Sequence, residues 1–141
     1  YDRKLGPPPQ HVVSFLGAWL VSDTFKRFAE AIDPGGFEFA PCDNSKLIIN
    51  GERPIFWACD LKRVGDFLDE ANSENARIRE YQPGWRSLLP LSATRIAVHR
   101  DRLGEGAHVF GIMESVSKYC DEHFKTAFKA AKLGPLTFTP T

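Results

Sequence analysis

A chain of 141 residues with 43% apolar side chains has single-domain length and enough apolar surface to build a core, which excludes a disordered chain. Lys plus Arg and Asp plus Glu both total 18, so no net field draws the chain to nucleic acid or an anionic membrane, and a general nucleic-acid binder is disfavoured. The three cysteines, Cys42, Cys59 and Cys120, form no CxxC and cannot all pair, which suits buried thiols in a reducing compartment, and no run approaches the roughly 20 apolar residues of a membrane span.

Residues 1–10 (YDRKLGPPPQ) form a Pro-rich lead whose three consecutive prolines hold an extended conformation, a tether or an edge ahead of a single domain over 11–141. The chain begins at Tyr1 rather than Met, which leaves open that it is a module of a larger protein. His11 to Val21 reads as a strand or short buried segment. Ser22 is placed to cap a helix over Asp23 to Ile32, with Phe25, Phe28, Ala29 and Ile32 as its buried stripe. Asp33-Pro34-Gly35-Gly36 stops that helix, and Phe37-Glu38-Phe39 alternates as a half-buried strand does. Lys46–Asn50 and Pro54–Cys59 then read as a hairpin about the turn dipeptide Asn50-Gly51. Asp60 is a candidate cap for a second helix over Leu61 to Ala71, where Leu61, Val64, Phe67, Leu68 and Ala71 recur at helical spacing and Gly65 costs about 1 kcal/mol relative to Ala.

From Asn72 to Leu91 the periodicity fades, and Pro83-Gly84 and Pro90 break the chain into a long connection. Thr94 to His99 resumes as a strand, Arg100 to Gly106 reads as a turn, and Ala107 to Met113 as a strand pairing back on it. Asp121 opens a last helix with Phe124, Ala127, Phe128 and Ala131 on its apolar face; Gly134 ends it before a closing strand at 136–138. A shift of 99 residues maps Phe124, Lys125, Ala130, Gly134, Phe138 and Pro140 onto Phe25, Lys26, Ala31, Gly35, Phe39 and Pro41, a weak internal helix-turn-strand repeat. The sum is an α+β fold: one domain, a mostly antiparallel sheet and about three helices.

Catalytic constellations are hard to find in this order of residues. Cys42 with His99 or His108 is the only Cys–His couple the chain suggests, and no nucleophile signature surrounds any cysteine. There is no HExxH, no histidine pair at i and i+4, and no Asp-rich calcium loop, and His123 beside Asp121 and Glu122 reads as polar cap chemistry. Gly35 to Glu38 and Gly104 to Gly106 lack the Lys or third Gly of a phosphate loop, and the neighbours Asp69-Glu70 and Asp121-Glu122 point in different directions on a helix. No catalytic residue, cofactor or metal is therefore expected.

The segment 77–89 differs in kind. Arg77, Arg79, Tyr81, Trp85 and Arg86 are the residue types that dominate binding hot spots, which makes them candidates for contact with a partner. The alternative is that Trp85 and Leu88 fill the core while the arginines pair with Asp66, Asp69, Glu70 or Glu74. Arg95, Arg100 and Arg102 read as a solvated basic turn, diluted by Asp101 and Glu105.

The order of motifs resembles a family of immunity proteins of bacterial polymorphic toxin systems, formerly a domain of unknown function. Ser22-Asp23, Phe39, Pro41, Cys59-Asp60-Leu61, His108, Val109-Phe110, Gly134 and Phe138 stand at the matching places, over most of residues 18–138. Gly111 departs from the Arg that many members carry after the Phe, and Pro135 interrupts the final turn. The resemblance implies a cytoplasmic protein that binds and neutralises a cognate toxin, in the setting of type VI secretion, without cofactor or turnover; it brings no catalytic residues and leaves the oligomeric state open. A small Cys–His hydrolase or transferase and a regulatory module of a longer chain are the alternatives.

Overall fold

The computed structural model describes residues 11–15, 18–43, 48, 51, 53–89, 95–134 and 136–139. The apolar run after His11 is two strands rather than one: β1 (Val12–Phe15) folds back on β2 (Ala18–Ser22). Ser22 then turns the chain into α1 (Asp23–Ile32), its side-chain oxygen accepting the Phe25 N–H at 3.2 Å, an N-cap that satisfies one of the helix's unpaired donors. β3 (Phe37–Pro41) and β4 (Phe56–Leu61) complete an antiparallel sheet in the order β1-β2-β4-β3. β4 falls where the second arm of the hairpin about Asn50-Gly51 was expected, but its two edges are taken by β2 and β3 rather than by a strand preceding Gly51; residues 44–47, 49 and 50 of the expected first arm lie outside the described residues, as do 1–10 of the Pro-rich lead.

The helix expected over Leu61–Ala71 does not form. Asp60 Oδ1 accepts the N–H of its own neighbour Leu61 at 2.8 Å instead of reaching into a first turn. Val64–Gly65 is a short strand, β5, and this stretch gives its backbone groups to other segments: Gly111 N–H to Arg63 O, Met113 N–H to Gly65 O, Asp69 N–H to Ala97 O. The Phe67 ring lies 2.8 Å from where a Cβ on Gly65 would sit, so that glycine is there for close approach. The long connection expected over 72–91 is instead a hairpin, β6 (Arg77–Gln82) and β7 (Trp85–Leu89), turning through Pro83 and Gly84, whose φ of +80° suits glycine.

Arg95 and Val98 make single bridges to Glu74 and Leu68, and among the described residues no strand there pairs with 107–113 as expected. A one-turn helix, α2 (Arg100–Leu103), stands where a turn was expected. β8 (Val109–Ile112) pairs in parallel with β5 and antiparallel with β9 (Lys118–Cys120). Asp121 caps α3 (Glu122–Ala130) through the Phe124 N–H at 2.9 Å. Lys132 at φ +54° begins the exit, and Leu136 and Phe138 pack on the core without forming the closing strand, so the helix-turn-strand unit is completed once, by α1 and β3.

The result is a single-domain α+β fold with mostly antiparallel sheets and three helices, although the middle helix is α2 and not 61–71. Two apolar clusters hold it. The first gathers Phe25, Phe37, Phe124, Phe128, Val21 and Leu61, with ring centroids of Phe28 and Phe124 5.5 Å apart. The second is built on Leu68, Leu103, Phe110 and Ile112. β8 lies between them, because alternate side chains of a strand face opposite ways: Val109 enters the first cluster, Phe110 and Ile112 the second. Gly111 faces Val64, whose Cγ2 would lie 3.1 Å from an added Cβ, so a side chain at this position would have to displace Val64.

Asp33, only 1% exposed, fastens α1 to β8. Arg63 donates to it from Nη1 (2.7 Å) and Nη2 (3.0 Å), and the backbone N–H groups of His108 and Val109 donate to its Oδ2 at 2.8 and 2.9 Å. Arg63 Nη1 also donates to Val109 O at 2.7 Å. Among the described residues no helix is long and apolar enough to cross a membrane.

Candidate functional site

Directly opposed residues of an antiparallel pair share a sheet face, which divides the β6–β7 hairpin into two sides. Ile78 opposite Leu88, and Glu80 opposite Arg86, face the body; Ile78 and Leu88 are half-buried and buried, with Ile78 packed on the second cluster. Arg86 is spent on that side, ion-paired to Glu70 and 3.7 Å from the buried Glu114. Leu88 donates its N–H to Glu114 O, stitching β7 to the turn that follows β8.

The other side faces away from both clusters. Arg77 opposite Leu89 and Arg79 opposite Ser87 lie on it, and an irregularity between Glu80 and Gln82 inserts Tyr81 as an extra residue. Tyr81 packs against Trp85 with ring centroids 5.2 Å apart, and the Arg79 guanidinium sits 4.8 Å over the Tyr81 ring. This stack stays open: Trp85 is 60% and Tyr81 46% exposed. The structure thus gathers Arg79, Tyr81 and Trp85, places Arg77 on the same face, and puts Arg86 behind it. Of the alternative, Leu88 and Arg86 take the structural roles and Trp85 does not.

Two apolar residues that the sequence reading did not single out join this region. Met113 (69% exposed) and Val116 (99%) project from the turn after β8 and line, with Trp85, one open groove of about 1160 Å³ that runs along β9 towards Phe138. The turn is braced, since Ser115 Oγ accepts from the Ser117 N–H and from the Tyr119 hydroxyl, both at 3.1 Å. The available signal was Val116, an isolated apolar residue among Glu114, Ser115, Ser117 and Lys118.

The thiols and imidazoles are placed otherwise. Burial, with the Asp60 charge adding, pushes the Cys59 thiol up to about 12, and burial beside Asp121 pushes Cys120 up to about 11, the opposite of what a thiolate nucleophile needs. His108 Nδ1 is 2.8 Å from Asp121 Oδ2, and its ring lies tilted against that of His123 with centroids 4.6 Å apart. Burial raises the Asp121 carboxyl, but the Phe124 N–H and His108 more than offset it and hold it below the usual range. No cluster of three or more His, Cys, Asp or Glu among the described residues is arranged to hold a metal ion. Arg102 pairs with Asp66 at 2.9 Å and Arg95 approaches Glu74 at 3.9 Å, so the basic turn is largely compensated.

A family model described as an immunity protein family, Imm11, matches residues 1–141. No curated protein and no solved structure matches the chain.

Proposed function

The chain belongs to the Imm11 immunity protein family, and on that premise we propose that it binds a cognate bacterial toxin and neutralises it by association through the outer face of the β6–β7 hairpin. The observation that carries the site is the Arg79–Tyr81–Trp85 cluster, whose side chains pack on one another yet stay open to solvent. Large aromatic and Arg side chains of this kind bury much area on docking and lose little rotamer freedom, which is why they anchor interfaces. Arg77 extends the contact along β6, Met113 and Val116 extend it across the groove, and Arg86 acts from behind by bracing the hairpin on Glu70 and Glu114. An interface of this class buries at least about 1,000 Å².

In this reading the protein works in the cytoplasm of the toxin-producing cell, as the antidote of a polymorphic toxin system of the type VI secretion class. It occludes the toxin or holds it inactive, one molecule per toxin, with no turnover and no cofactor. Replacing Trp85 by Ala lowers toxin affinity by about 2 kcal/mol or more, roughly 30-fold, while the melting temperature stays unchanged. Calorimetric titration of the toxin encoded beside this chain checks it, and equal affinity of wild type and W85A would refute the hairpin as the contact.

A further inference from the structure

The hairpin is a two-stranded sheet, and its two outer edges are unlike. Because the Leu88 N–H is given to Glu114 O, it points away from β6, which makes the pair Ile78–Leu88 one of the non-hydrogen-bonded pairs of the ladder. Bonded and non-bonded pairs alternate, so Glu80–Arg86 is non-bonded too. The N–H and C=O groups of Ile78 and Glu80 therefore point outward from β6, and β6 has no second neighbour among the described residues. Five of its six residues, all but Ile78, are exposed.

We infer that the toxin docks by adding a strand to this edge: an extended segment carrying acidic side chains at alternate positions, pairing with the main chain of Ile78 and Glu80. The inference rests on the immunity reading and deepens it. Strand addition supplies main-chain hydrogen bonds along the edge, and side chains on one face supply selectivity. The face concerned presents Arg77 and Arg79, both exposed and neither in an ion pair among the described residues, followed by the Tyr81–Trp85 rings. Carboxylates two residues apart on an added strand fall beside those two guanidinium groups, since the side-chain period of a strand is two. A second copy of this chain is a poor occupant, because β6 against β6 sets one pair of arginines beside the other; the same charges keep an open edge from self-pairing.

The test is backbone amide exchange on the wild-type protein, alone and in complex with the purified toxin encoded beside it. Ile78 and Glu80 amides are expected to exchange fast in the free protein and to slow at least about tenfold in the complex, as amides entering a ladder do. A complex that forms and neutralises the toxin while those two amides keep their free rates would overturn strand addition and leave the immunity reading standing. A toxin that is neither bound nor neutralised would sink both. Substitution gives an independent arm: Glu80→Pro, which removes an outward N–H and no internal ladder bond, is expected to weaken binding about 30-fold or more, and Glu80→Ala by less than about threefold, at similar melting temperatures. Equal loss in the two variants would point to the side chain and against the edge. The double variant R77E/R79E is expected to weaken binding and to flatten its dependence on salt, and an unchanged salt dependence would count against an acidic strand.

Discussion

Asp33 holds a negative charge where solvent barely reaches, and its neighbours are arranged accordingly. Burial raises its carboxyl, but the Arg63 guanidinium and the N–H groups of His108 and Val109 outweigh that and hold it below its ordinary value of 3.8. A folded value below the unfolded one means that the unfolded chain takes up the proton first as the solution is acidified. The stabilisation from Asp33 is therefore complete above about pH 4 and is lost as pH falls through the lowered folded value. Asp33→Asn keeps the shape and removes the charge, leaving the Arg63 guanidinium, 18% exposed, without its partner. Urea titrations should show the variant less stable by about 3–5 kcal/mol at neutral pH, and the gap between the two proteins should narrow towards about pH 3. A gap of constant size would mean that the lost geometry, and not the charge, was responsible.

At the level of elements, the hairpin depends on one backbone torsion. Gly84 has no atom within 4 Å of the place a Cβ would take, so Gly84→Ala tests its φ of +80° with no packing change. A cost of about 1–2 kcal/mol is expected, confined to the hairpin and read as faster amide exchange at Arg79 and Ser87 against unchanged exchange in α1. α1 and α3 could be read from the chain because their determinants are local: Ser22 and Asp121 cap them, and Phe25, Phe124 and Phe128 mark the buried stripe. Leu61 and Leu68 misled because their helical spacing is accidental; one belongs to the first apolar cluster and the other to the second. β6 was hidden because Ile78 is the one apolar residue among Arg77, Arg79 and Glu80 on that strand, too few to show a period of two. Residue type alone pointed to Arg77, Arg79, Tyr81, Trp85 and Arg86. Only the pairing register separates Arg86 from the rest, and register is set by long-range contact that a linear reading does not contain.

On the scale of the whole molecule, β8 contributes to both apolar clusters and Asp33 ties α1 to it, so the two clusters are expected to unfold together. Ile112 has no exposure and belongs to the second cluster, whereas Trp19 and Trp57 pack on the first. With Trp85 replaced by Phe so that emission reports the first cluster alone, Ile112→Ala is expected to cost about 2–5 kcal/mol, and to move the tryptophan-emission melt by as much as the far-ultraviolet circular dichroism melt. Separate midpoints for the two signals would show that the clusters unfold independently.

The division of the hairpin into an anchored side and an open one bears on how such a protein changes over generations. Arg77, Arg79, Tyr81 and Trp85 lie on a sheet face that neither apolar cluster uses, so mutation can exchange them without carrying the chain below its stability threshold. Those four positions can thus be rewritten with little cost to the scaffold, while Asp33, Arg63 and Phe124 are held in place by the interior they serve.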